Sequence, residues 1–205
     1  MLFDLTRPLT PRTAVFPGDT PVSIQQVARM RDGASCNVSA LTLSSHAATH
    51  IDAPRHYSDE ASGIEAISPD VFLGPVRVIT VMSPFIQSSD LAGYDLSRVT
   101  RLLIHTRASA VPNDVWEPDF AHFDPNAAEY LGHIGLRLIG VDTPSVDPAD
   151  SKSLPAHKTF LRHNITIMEN LIFTGVPDGD YELIALPLAI IGCDAAPARA
   201  ILRSL

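Results

Sequence analysis

The stretch SSHAATHIDAPRHY, residues 44–57, carries His46, His50, Asp52 and His56. Imidazole nitrogens and a carboxylate oxygen gathered without a thiolate suit a divalent cation such as Zn²⁺, Mn²⁺ or Fe²⁺. Three protein ligands with an open position suit catalysis better than a structural role. Without a cation the same residues are in conflict. Protonated histidines repel one another, and neutral ones beside a buried ionised aspartate require hydrogen-bonding partners. The bland reading, polar side chains on a solvated strand face, serves one histidine well and four converging groups poorly.

Spacing decides how they would converge. His46 and His50 alone suit one face of a helix, but at about 100° per residue Asp52 and His56 would swing away from it. An extended chain, with a period of two, puts 46, 50, 52 and 56 on one side. The alternate positions Leu41, Leu43, Ala47, Thr49, Ile51 and Ala53 are mostly apolar or small, so the sequence predicts a strand whose other face packs into a core. Pro54 forbids a helix interior and holds Ala53 extended.

Later residues supply candidate partners. In ITIMENL, residues 165–171, Glu169 lies on an alternating face with Ile165, Ile167 and Leu171, where a carboxylate needs a partner. His157 shares a helical face with Leu154, Phe160 and Leu161. His105, His122 and His133 lack a clustered acid and read as structural, and Asp142, Asp147 and Asp150 read as turn and cap residues with a functional loop as the alternative. Phe16 and Trp116 are candidates for an aromatic wall to a pocket, Phe16 being the nominated substrate contact, against ordinary core packing.

The elements that must position these groups read as strands with few helices. Runs at 37–45, 76–82, 101–106, 136–143 and 181–190 are rich in branched apolar residues. Residues 125–135 and 154–164 read as helices, the second with Ser153 as N-cap and Pro155 in its first turn. The C-terminal PARAILRSL suits strand or helix, and the apolar run at 183–193 reads as a buried strand pair or a kinked strand, too short to span a bilayer. The expected class is an α/β or α+β domain. With 205 residues and 45% hydrophobic content, residues 1–205 are expected to form a single domain. A net charge of -8 without a basic run points away from nucleic acid and anionic membrane and toward a small-molecule partner. Cys36 and Cys193 form no framework and no zinc-binding CxxC, there is no leader-like segment, and a reducing cytoplasm is the expected setting.

HAATHIDAPRH, residues 46–56, resembles the HxGTHxDxPxH signature of the cyclase family of metal-dependent hydrolases, which includes bacterial kynurenine formamidases and isatin hydrolases. FPGDTP at 16–21, GVDTPSVDPADSKSLPAH at 140–157, ITIMENL at 165–171 and GDYELIALPL at 179–188 are similar to the kynurenine formamidase branch in order and spacing. The resemblance implies a swivelling β/β/α fold, two Zn²⁺ per subunit with Mn²⁺ as the alternative, and a homodimer or higher homo-oligomer. It implies that His46, His50 and Asp52 hold one metal, that Asp52 bridges to a second held by His157 and Glu169, and that His56 is the general acid/base. The implied reaction is hydrolysis of N-formyl-L-kynurenine to L-kynurenine and formate. Hydrolysis of a cyclic amide such as isatin, and a metal-binding protein without catalysis, are the alternatives. Ala48 stands where the motif has glycine, and a left-handed backbone there would be strained by its Cβ.

Overall fold

The structure is a computed structural model describing residues 1–205. β1 (Leu2–Asp4) is followed by a separate antiparallel hairpin of β2 (Ser23–Ala28) and β3 (Val38–Thr42). β4 (His50–Asp52), β5 (Leu73–Thr80) and β7 (Arg101–His105) join the main sheet, whereas β6 (Phe85–Ile86) and β8 (His122–Phe123) make a small parallel pair. β9 (Leu138–Val141), β10 (Thr166–Glu169), β11 (Gly179–Ile184), β12 (Ala195–Pro197) and β13 (Ile201–Ser204) complete the strands. The α-helices are α1 (Ser88–Leu91), α2 (Pro125–His133) and α3 (Pro155–Arg162).

Nine strands form one sheet in the order β1-β13-β11-β5-β7-β9-β10-β4-β12. The central β5, β7, β9 and β10 are parallel, and the flanking strands are antiparallel. The sheet curls: beyond β1, Thr6 bridges to Leu171 just past β10. Strand alternation divides the apolar residues between two cores. Val78, Leu103, Leu138 and Met168 face one, and Ile79, Leu102, Ile104, Ile139 and Ile167 face the other, where Ala128, Leu131, Ala156 and Phe160 of α2 and α3 cover them. Each of the larger side chains among these, fully buried, contributes about 1.5–3 kcal/mol of transfer free energy. The mixed α/β class with several strands and few helices is the class expected.

Three local readings are corrected, and one that left two alternatives open, the C-terminal segment, is decided. β3 belongs to the hairpin, and Leu41 is 62% exposed instead of packing into a core. The run at 183–193 is not a buried strand: β11 stops at Ile184, Pro187 follows, and Leu188 and Ile191 are exposed. The C-terminal segment is strand, in β12 and β13. Ser153 does not cap α3; Leu154 occupies the cap position in the left-handed region, φ 49°, and offers no side-chain cap.

Candidate metal centre and active site

The histidine-rich segment is not one continuous strand. β3 ends at Thr42, and residues 45–49 bend, with Ala47 N–H donating to Ser44 O and Ala48 at φ 57°. Only His50–Asp52 is extended. Pro54 then starts a 3₁₀ turn, Pro54–His56, in which His56 N–H donates to Ala53 O at 2.9 Å. A period of two therefore holds for His50 and Asp52, with Ile51 buried on the other side. His46 and His56 arrive through turns at either end, which a single period cannot describe.

β4 pairs with β10 and β12, placing His50 opposite Glu169 and Asp52 opposite Ala195. His157, in the first turn of α3, covers the same face. Asp52 lies at the centre. Its Oδ1 is 3.1 Å from His46 Nδ1 and 3.3 Å from His50 Nε2, and its Oδ2 is 3.6 Å from His157 Nε2. Glu169 Oε2 is 3.4 Å from His50 Nε2, and its Oε1 is 3.5 Å from His157 Nε2. The most compact triads are His46–Asp52–His56 and His50–Asp52–Glu169, both containing Asp52. All five candidate ligands and His56 are thus brought together, with ring nitrogens of His46 and His56 and an Asp52 oxygen within 4.8 Å of one another.

The centre has the properties of a cation site. His50, Asp52, His157 and Glu169 are at most 3% exposed, yet His50 Nε2 and both oxygens of Asp52 have no hydrogen-bond partner. Leaving such groups unpaired costs several kcal/mol, roughly, for a carboxylate. A divalent cation would satisfy all three atoms, and the imidazole–carboxylate donor set fits one. With protons as the only cations, the carboxylates draw them onto the rings. Burial opposes a charged His50, but Asp52 and Glu169 outweigh it and push its pKa up to about 10. Burial likewise opposes charge on His157, and Asp147, Asp52 and Glu169 hold its pKa well above the ordinary value. His56 differs: burial dominates and lowers its pKa.

Three contacts orient the rings. His50 Nδ1 donates to Ala48 O at 2.9 Å, which leaves Nε2 bare toward Asp52. His157 Nδ1 is 2.7 Å from Asp147 Oδ2, and Asp147 also accepts from the N–H groups of Ala156 and His157, so one buried carboxylate caps α3 and aims its histidine. Asp194 Oδ2 accepts from His46 Nε2 at 3.1 Å and lies 3.7 Å from His56 Nδ1, while its Oδ1 accepts from Ser45. Burial would raise the Asp194 pKa, but the bonds from His46 and Ser45 prevail and lower it to about 2. Asp147 was legible only as a turn or cap residue, and nothing in the sequence pointed to Asp194, because its contacts cross 149 residues of chain. Asp142, by contrast, is structural: its carboxylate accepts from the backbone and side chains of Thr106 and Ser109. His105, His122 and His133 lie outside the cluster, beside Phe173, Phe85 and Glu129 respectively.

The cluster opens on a cavity of about 520 Å³ lined by His46, His56, His157 and Glu169 on one side and by Phe16, Trp116 and Phe120 on another. Phe16 and Trp116 meet edge to face, ring centroids 4.9 Å apart. His56 is the accessible member of the cluster, its side chain 32% exposed.

A curled mixed sheet thus carries buried histidines and carboxylates able to hold a divalent cation beside an aromatic-walled cavity. Residues 3–148 match the Cyclase family model, described as "Putative cyclase", and the chain belongs to that family. It is 43% identical over 206 residues to the kynurenine formamidase of Maricaulis maris (strain MCS10) and 42% identical over 206 residues to that of Bordetella avium (strain 197N). Each alignment covers 100% of this chain and 98% of the relative. Among solved structures, a predicted metal-dependent hydrolase from Bacillus stearothermophilus superposes with a TM-score of 0.86 at 27% identity, over 98% of this chain and 97% of the other. No helix is long and apolar enough to cross a membrane.

Proposed function

We propose that the protein is a metal-dependent arylformamidase that hydrolyses N-formyl-L-kynurenine to L-kynurenine and formate. The observation that carries this reading is Asp52, a buried carboxylate with both oxygens unpaired among three imidazoles, two of which, His46 and His157, line an aromatic-walled cavity. The two full-length relatives named for this reaction supply the substrate. We assign His46, His50 and Asp52 to one cation and Asp52, His157 and Glu169 to a second. Zn²⁺ is the preferred ion by donor set, with Mn²⁺ the alternative. When bound, the cations supply Lewis acidity to a water and to the formyl carbonyl.

The chain's own residues do the rest. Asp52 offers one oxygen to each side and so fixes the separation of the two positions. Phe16 and Trp116 receive the aromatic ring of the substrate. His56 takes the proton of the attacking water at a ring nitrogen and returns it to the aniline nitrogen as the C–N bond breaks. This role suits an accessible imidazole that burial keeps neutral. We read residues 1–205 as one such domain, active in the cytoplasm as a homodimer or higher homo-oligomer. Exposed Ile24, Val27, Met30 and Leu41 on the β2–β3 hairpin support self-association.

The test is metal content and a substrate screen on one untagged preparation. Two equivalents of metal and turnover of N-formyl-L-kynurenine far above that of isatin are expected. Faster opening of isatin, or no formamide hydrolysis by the metal-loaded protein, overturns the reading.

A further inference from the structure

Arg7 is a buried cation on the wall of the cavity with no carboxylate within ion-pair distance. It is 8% exposed and lines the same cavity as His56. Its Nη1 donates to Val111 O at 3.2 Å, and its buried Nε–H has no acceptor. Asp142 is the carboxylate whose field it feels, but that carboxylate is already engaged by Thr106 and Ser109. The other cations of the wall are unlike it: Arg107 is paired with Asp119 at 2.9 Å, and Lys152 is exposed. Burying a guanidinium with an unmet donor is unfavourable unless an anion arrives to meet it.

Its position is fixed relative to the metal centre. Arg7 N–H donates to Thr49 Oγ1 at 2.8 Å, and Thr49 Oγ1 donates to Asn170 O at 2.6 Å. Arg7 is therefore tied to the neighbours of both His50 and Glu169. We infer that Arg7 is a specificity-determining residue that binds the α-carboxylate of the substrate, the anion at the end of the molecule remote from the formyl group. The inference rests on the arylformamidase reading and extends it from the scissile end to the amino-acid end. A guanidinium fork matches a carboxylate in geometry as well as charge.

The experiment compares kcat/KM for N-formyl-L-kynurenine with kcat/KM for its carboxamide, which keeps the ring and formamide and loses the negative charge. The metal-loaded wild type is expected to prefer the acid, and Arg7→Gln to reduce that preference by about 10- to 100-fold, the range for losing one charge-assisted hydrogen bond. The change is expected mainly in KM. Arg7→Lys, which keeps the charge, is expected to retain an intermediate preference and serves as the readout if Arg7→Gln does not fold. An unchanged acid-to-amide ratio in the folded variants overturns the inference, as does an equal fall on both substrates, which would mark Arg7 as structural. A wild type that hydrolyses neither compound overturns the arylformamidase reading itself, and with it the substrate carboxylate assigned to Arg7.

Discussion

Asp147 Oδ2 lies 2.7 Å from His157 Nδ1, and the opposite nitrogen of the same ring faces Asp52 and Glu169. Orientation of the ring thus depends on a residue that touches no candidate cation. Asp147→Asn keeps the volume and weakens the acceptor, so metal affinity is expected to fall about 10- to 100-fold. Loss of the charged cap on α3 is expected to cost about 1 kcal/mol as well. Metal titration and urea unfolding read the two separately; an unchanged affinity would remove Asp147 from the site.

Ala48 occupies a backbone conformation, φ 57°, that a Cβ disfavours by about 1–2 kcal/mol. Ala48→Gly relieves this but gives the unfolded chain more freedom, a loss of about 0.5–1 kcal/mol. The expected net is a stabilisation of roughly 0.5–1 kcal/mol, with the Ala48 carbonyl still receiving His50. A glycine variant less stable than the parent would refute the strain argument.

Asp52 and His56 separate by chemistry. Asp52→Ala is expected to lose both metal and activity, because Asp52 is shared by both proposed cation positions, its oxygens facing His46 and His50 on one side and His157 on the other. His56→Ala is expected to keep its metal and lose about 10²- to 10⁴-fold in kcat, the range for a general acid/base. Elemental analysis beside steady-state kinetics decides. Metal loss in His56→Ala, with no separable effect on turnover, would make His56 a ligand instead. For Glu169→Ala, one equivalent of metal fewer is expected.

Protons and cations compete for the same rings, which gives the protein two pH profiles. In chelator-treated protein the pKa of His50 is raised, to about 10, and that of His157 is also raised. Their contribution to stability is full below the unfolded value of about 6.5 and is lost as pH rises through about 10. The Asp147 pKa is lowered, since the bonds from His157 and Ala156 outweigh burial, so its contribution holds above about 3.9 and fades as pH falls. Chelator-treated protein should therefore lose Tm from neutral pH toward pH 10, whereas metal-loaded protein should lose its metal, and then Tm, on acidification. A flat alkaline profile after chelation would contradict this competition.

Much of the site was legible because its chemistry is concentrated in one segment. His46, His50, Asp52 and His56 are close in sequence, and Pro54 excludes a helix, so convergence could be argued without a tertiary fold. The shape of that segment was not legible. Alternation of small and apolar residues resembles a strand, but a left-handed turn at Ala48 leaves no mark beyond an alanine where the family motif has glycine. β3 misled for another reason: branched residues favour a strand but do not say whether its apolar face is covered, and here Leu41 faces outward. Asp194 and Arg7 were invisible because their importance lies in partners supplied by distant strands and loops.

β4 is sandwiched between β10 and β12, so an early segment is paired on both sides by late ones: 121 residues separate Thr49 from Asn170, and 149 separate Ser45 from Asp194. On the ribosome, the histidine segment must wait as an unzipped ribbon until nearly all of the rest has been translated. Ion capture is therefore an event of the finished polypeptide, and a nascent chain arrested before β10 would present loose imidazoles without a socket.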